Sequence, residues 1–158
     1  MITSSHSLYD QNTFYPAVHR DIRNAGTVVI IESPFLTKRR VDSILPELNR
    51  LIRRKVRVIL NTKPFEEHQG TLLDQAIESV AALQDVGVEV YMTVGHHRKL
   101  IFIDSRIMWE GSLNMLSQND SCEFMRRIDS VEVTMSTIKF LRLDRSLKLH
   151  YTWGINGK

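Results

Sequence analysis

Three short aliphatic runs, "TVVIIES" from Thr27 to Ser33, "VRVILN" from Val56 to Asn61 and "VEVYMT" from Val88 to Thr93, recur at similar intervals along the chain. Continuous runs rich in β-branched residues suit strands buried on both faces of a sheet. Before and between them, apolar residues return at helical spacing. Phe14, Val18 and Ile22 predict a helix from Thr13 to about Ala25, with Asn12 or Thr13 placed to cap it and Pro16 tolerated in the first turn. Val41, Ile44, Leu45, Leu48, Leu51 and Ile52 predict a second helix. Leu72, Leu73, Ile77, Val80, Ala81 and Leu83 predict a third, punctuated by Gly87. Helices alternating with strands imply right-handed crossovers and a parallel-rich sheet covered by helices.

The rhythm changes after residue 93. "RKLIFID" and "RIMWEG" predict a hairpin turning at Asp104-Ser105, and "CEFMRRID" a further strand. Asp129, with Glu132 three residues on, predicts a capping box that opens a last helix through about Leu149. With no internal repeat and no Pro-, Gly- or Ser-rich linker, the expectation is a single domain over residues 1–158, its core at about 10–149. The expected class is α/β, with a mixed, mostly parallel sheet flanked by helices.

Composition narrows the setting. No stretch approaches the roughly 20 apolar residues of a membrane span, and the first 20 residues lack the apolar core of a signal peptide. The single Cys122 forms no intrachain disulfide and no cysteine-based metal knuckle, which fits a reducing, cytoplasmic location. The net charge is only +3, but the cations cluster as Lys38-Arg39-Arg40, Arg53-Arg54-Lys55 with Arg57, and Arg126-Arg127. Such clusters suit a phosphate-rich partner, although short basic runs are also common on solvated helix faces.

The stretch "GHHRKLIFIDSRIMWEGSLN", residues 95–114, carries the chemistry. On a strand, His97 and Lys99 share one face while His96 and Arg98 share the other. An imidazole beside an ammonium suits an anionic group, because lysine neutralises charge while histidine acts as nucleophile or proton carrier near neutral pH. Further on, Gly111 permits a tight turn, and Ser112, the backbone N–H groups after it and the Asn114 amide can donate to phosphate oxygens. A transition-metal site is disfavoured, since adjacent strand residues diverge and neither a His-x3-His pair nor a carboxylate pair lies nearby. No metal or other cofactor is expected.

The pattern His97-x-Lys99-x4-Asp104 followed by Gly111-Ser112-x-Asn114 resembles the HKD motif of the phospholipase D superfamily, and the layout over about residues 10–145 is similar to its nuclease-like branch. The stretch "SPFLTKRRVDSILPELNRLIRRKVRVIL" also resembles the phospholipase D-like domain found alone or attached to helicases. The resemblance implies that His97 attacks phosphorus to give a phosphohistidine that water resolves without a metal. It also implies that Lys99, Ser112 and Asn114 hold the phosphoryl oxygens and that Asp104 is mainly structural. Glu123 matches the acidic residue that orients the histidine, though it follows Gly-Ser-x-Asn more closely than in small nucleases of the family. Ser105 departs from the glycine common after the aspartate. His96, Arg98, Lys38, Arg39 and Arg40 are expected as substrate contacts.

Covalent cleavage needs a nucleophile in line with the scissile bond and an acid on the opposite side. None of the other five histidines has a lysine two residues later, so the second motif of the family's twofold site would have to come from a homodimer. The leading expectation is a metal-independent nuclease cleaving nucleic acid, with DNA the expected substrate, alone or beside a helicase or other DNA-processing enzyme. A non-catalytic nucleic-acid-binding or dimerisation module is the first alternative. A phospholipid phosphodiesterase or phosphatidyl transferase is the second.

Overall fold

A computed structural model describes residues 5–117 and 121–149. One seven-stranded sheet runs in the order β1 (Ser5–Asp10), β7 (Phe124–Asp129), β6 (Ile107–Gly111), β5 (Leu100–Ile103), β2 (Val28–Glu32), β3 (Arg57–Thr62) and β4 (Glu89–Met92). The three aliphatic runs are β2, β3 and β4, paired in parallel as expected of strands joined by helical crossovers. The other four ladders are antiparallel. The sheet is therefore mixed but not mostly parallel, because the second half of the chain returns as hairpins and β5 inserts antiparallel beside β2.

Helices α1 (Phe14–Arg23), α2 (Lys38–Arg53) and α3 (Thr71–Asp85) belong to one face. There Phe14, Val18, Ile22, Val41, Ile44, Leu48 and Leu83 pack on Val29, Ile31, Val58, Leu60, Ile101 and Trp109. The other face carries Val28, Ile30, Ile59, Phe102, Met108 and Ile128 under α4 (Val131–Phe140) and α5 (Leu143–Ser146). Alternation along each strand thus feeds two cores, which is why β2 is buried at all five positions.

One strand is unforeseen and two local expectations shift. β1 has no apolar periodicity because only Tyr9 is half-buried, its ring tilted against Trp109 with centroids 4.9 Å apart. The last helix is capped by Ser130, whose hydroxyl accepts from the Val133 amide at 3.3 Å, while Asp129 ends β7 and binds Arg106 at 2.6 Å. That helix also stops at Phe140; Arg142 takes φ 55°, and the chain restarts as α5 with Leu143 and Leu147 buried.

Candidate active site

The register between β2 and β5 decides where the motif sits. Glu32, the last residue of β2, pairs with Leu100, the first of β5, so residues 96–99 lie just past the carboxyl end of β2. In open α/β sheets this end, where neighbouring connections diverge, is where ligands bind. β6 then pairs Leu100 with Glu110, and continuing that register sets Gly111 across from Lys99. His97, Arg98, Lys99 and Leu100 line one cleft of about 380 Å³ with Glu110, Gly111 and Phe124.

His97 is exposed, and the Lys99 ammonium folds back to donate to the His97 carbonyl at 3.0 Å. The alternation predicted for this segment is visible in its partners, although regular pairing begins only at Leu100. His96 and Arg98 both turn to Glu32. His96 Nε2 meets Glu32 Oε2, and Arg98 Nε and Nη2 donate to Oε2 and Oε1 at 3.1 and 3.3 Å. Asn61 donates to the same carboxylate at 3.3 Å and accepts from Thr93 at 2.8 Å. Burial alone would push the Glu32 carboxyl up, but the hydrogen bonds and charges of His96 and Arg98 outweigh it and hold it below its ordinary value. His96, expected as a substrate contact, is instead fully buried at its side chain and faces away from the cleft. Arg98 does line the cleft, anchored by Glu32.

Gly111 is required sterically. A Cβ there would lie 2.1 Å from the Phe124 carbonyl oxygen and 2.8 Å from Met125 Sδ, so only glycine lets β6 and β7 close at this point. Ser112 stitches the same strands: its amide donates to Phe124 O at 2.9 Å, and its hydroxyl accepts from Phe124 N at 3.1 Å. Asn114 lies in the turn beyond, buried, with its amide oxygen unpartnered among the described residues. The cleft thus gathers His97, Lys99, Arg98 and Gly111, whereas the Ser112 and Asn114 side chains lie outside its lining. The Glu123 amide donates to Gln11 at 3.0 Å, and its carboxylate accepts from Ser121.

Asp104 accepts from the amides of Gly26, Thr27 and Val28 and from the Thr27 hydroxyl at 2.7–3.0 Å, pinning the hairpin to the start of β2. Its turn is built from Asp104 and Ser105 at φ 52° and 54°. Tyr15, which carried no sequence signal, supports the site: its hydroxyl donates to the carbonyls of Asn114 and Ser117 at 3.3 Å. Arg40 lies 3.6 Å over its ring. Burial raises the Tyr15 pKa, against the Arg40 charge and with that of Glu123. Of the anticipated substrate cations, Arg40 is thus engaged inside the fold and Lys38 bonds Asp42 at 2.6 Å, while Arg39 is exposed. Among the described residues no cluster of three His, Cys, Asp or Glu side chains could hold a metal ion.

A family profile described as "Cardiolipin synthase, PLD-like domain" matches residues 18–141, and the chain belongs to this phospholipase D-like family of domains that cleave or transfer phosphodiesters. Its fold is shared with Nuc, a phospholipase D family member from Salmonella typhimurium, at 16% identity and TM-score 0.72, covering 89% of this chain and 93% of that one. NucT from Helicobacter pylori gives 18% identity and TM-score 0.74, covering 92% and 97%. The phosphatidylserine synthase of Haemophilus influenzae Rd KW20 gives 12% and 0.62, this chain covering 92% of itself but 40% of the synthase. No curated protein sequence matches the chain. Among the described residues no helix is long and apolar enough to cross a membrane.

Proposed function

We propose that the protein is a metal-independent phosphodiesterase that cuts nucleic acid, DNA rather than RNA, through a phosphohistidine in a composite homodimer site. The observation that carries this reading is the exposed His97 imidazole on a cleft that also presents Lys99 and Arg98 beside the close-packed Gly111 turn. Lys99 supplies the charge that neutralises a phosphodiester there, with Arg98 held beside it by Glu32, and the His97 imidazole is placed to attack. The greater structural similarity to Nuc and NucT, at TM-scores of 0.72 and 0.74 against 0.62 for the phosphatidylserine synthase, supports the nuclease reading over the lipid one.

In the proposed sequence, a ring nitrogen of His97 attacks phosphorus and the P–O bond to the leaving strand breaks. The leaving oxygen takes a proton from the protonated His97 of the second copy. That imidazole, now neutral, removes a proton from water; the resulting hydroxide attacks phosphorus, the P–N bond breaks and His97 is released unmodified. Lys99, Ser112 and Asn114 are assigned to the phosphoryl oxygens and Glu123 to orienting His97, while Asp104 and Gly111 hold the scaffold. The Ser112 hydroxyl can keep accepting from the Phe124 amide, but its proton must turn from the Phe124 carbonyl, 3.4 Å away, to donate to substrate.

Several basic clusters are partly spent inside the fold: Arg57 binds Glu89 at 2.6 Å, Arg127 binds Asp21 at 2.7 Å and Arg54 donates to the Arg23 and Ala25 carbonyls. Long-range attraction for a polyanion then falls to exposed cations such as Arg53 and Lys55. Labelled single- and double-stranded DNA and RNA incubated in excess chelator test the reading. Cleavage of DNA by the wild type, lost in His97→Ala, is expected; binding without cleavage would leave a recognition module instead.

A further inference from the structure

Beyond the cleft, the carboxyl ends of β2 and β3 hold a second group of side chains. Lys63 follows β3 directly and is 8% exposed, yet among the described residues its ammonium has no carboxylate partner; it sits 4.5 Å over the Phe35 ring. His68 is 6% exposed, packs edge-on against Phe35 at 5.9 Å, and among the described residues neither ring nitrogen has a well-formed hydrogen bond, the Lys63 backbone offering only a weak one. Buried ring nitrogens are normally bonded, so a histidine left this way beside a lysine without a carboxylate partner, both on one aromatic ring, is open to a further polar partner. Burial lowers the His68 pKa; the Lys63 charge adds to that, while the Lys63 backbone and Glu67 oppose it. A neutral imidazole and an ammonium together lack only an anion with acceptor oxygens.

The group is tied to the active site through the backbone. The Glu67 carboxylate, next to His68, accepts from the Gly95 amide at 2.8 Å, two residues before His97. On the other side, the loop carrying Phe35 is bonded to the Asn114 turn: Thr37 N donates to Leu116 O at 2.7 Å and Leu116 N to Ser33 Oγ at 3.3 Å. The three residues therefore border the same end of the sheet as the cleft, on loops shared with both halves of the motif.

We propose that Lys63, His68 and Phe35 form a subsite for a phosphate that flanks the scissile one on the same strand, Lys63 supplying charge, His68 an N–H donor and Phe35 a face for the adjoining base. The proposal rests on the nucleic-acid reading above, and its test separates the two. In the His97→Ala background, binding of a fluorescein-labelled 12-nucleotide single-stranded DNA is measured with and without Lys63→Met across a salt series. The expected result is about a tenfold loss of affinity, with the slope of log K against log salt reduced by about 0.7, the share of one single-strand phosphate contact. Lys63→Arg should retain most of the affinity. Thermal melting supplies the readout that a structural role would reverse: removing a cation that has no carboxylate partner in the fold should leave Tm unchanged or raise it. Unchanged affinity and slope, or a fall in Tm accompanying the loss of binding, would overturn the subsite. Inorganic phosphate provides the independent arm. If it shifts the His68 ring resonances of the wild type but not of Lys63→Met while DNA fails to bind, the subsite stands and the nucleic-acid reading falls; if it shifts neither, the subsite falls as well.

Discussion

His96 Nε2 meets the buried Glu32 carboxylate immediately before the exposed His97, so two adjacent histidines occupy opposite environments. One is locked into the fold and the other is presented to solvent.

That pairing makes a stability prediction. Glu32→Ala leaves His96 and Arg98 without their shared acceptor and should cost about 3 kcal/mol in urea unfolding at pH 7. Because the folded Glu32 pKa lies below its ordinary value of 4.5, its contribution is fully present above that value and is lost as pH falls through the lower folded pKa. The stability gap between wild type and Glu32→Gln should therefore narrow below about pH 4.5. An equal gap at pH 7 and pH 3.5 would contradict the assignment.

At Gly111 the prediction is steric. A methyl group 2.1 Å from the Phe124 carbonyl forces β6 and β7 apart, so Gly111→Ala should lose about 3 kcal/mol of stability by denaturant melt and displace the turn bearing Ser112 and Asn114. Wild-type stability in this variant would mean that the strands do not close here.

Ser105 offers a gain. It holds φ 54°, where a side chain is strained and glycine is not, so Ser105→Gly should raise stability by about 1 kcal/mol, or roughly 2–4 °C in Tm. A lower Tm would show that the hydroxyl or the loss of backbone freedom matters more.

The dimer requirement can be read from mixing. When wild type is equilibrated with excess His97→Ala, a site needing both histidines should lose activity as the square of the wild-type fraction. Activity linear in that fraction would indicate that one chain suffices.

Much of this was legible in the chain because the signals are local. The aliphatic runs fixed β2 to β4, and alternation across residues 96–99 separated the buried His96 from the exposed His97, although Arg98, expected on the face of His96, lines the same cleft as His97 and Lys99. What was hidden depends on distant partners. Nothing in residues 5–10 announces a strand, since β1 forms by edge pairing with β7 and buries little. The antiparallel placement of β5 beside β2 is likewise a long-range choice, and it is what brings Glu32 to His96. Glu32 itself stands in an apolar run, where a lone carboxylate gives no clue to its acceptor role. Tyr15 looks like one more residue of an amphipathic helix until the Asn114 turn closes over its hydroxyl. The shift from Asp129 to Ser130 as cap has a similar cause, because Arg106 from the facing strand takes the aspartate.

The covalent intermediate is the most direct test of the central claim. A DNA substrate mixed with enzyme in excess chelator, quenched in alkali within the first turnover and digested, should yield a nucleotidyl adduct on the peptide containing His97. The adduct should be acid-labile and absent from His97→Ala. Multiple turnovers of chelator-resistant cleavage with no adduct on that peptide, or with the adduct on another residue, would contradict the mechanism.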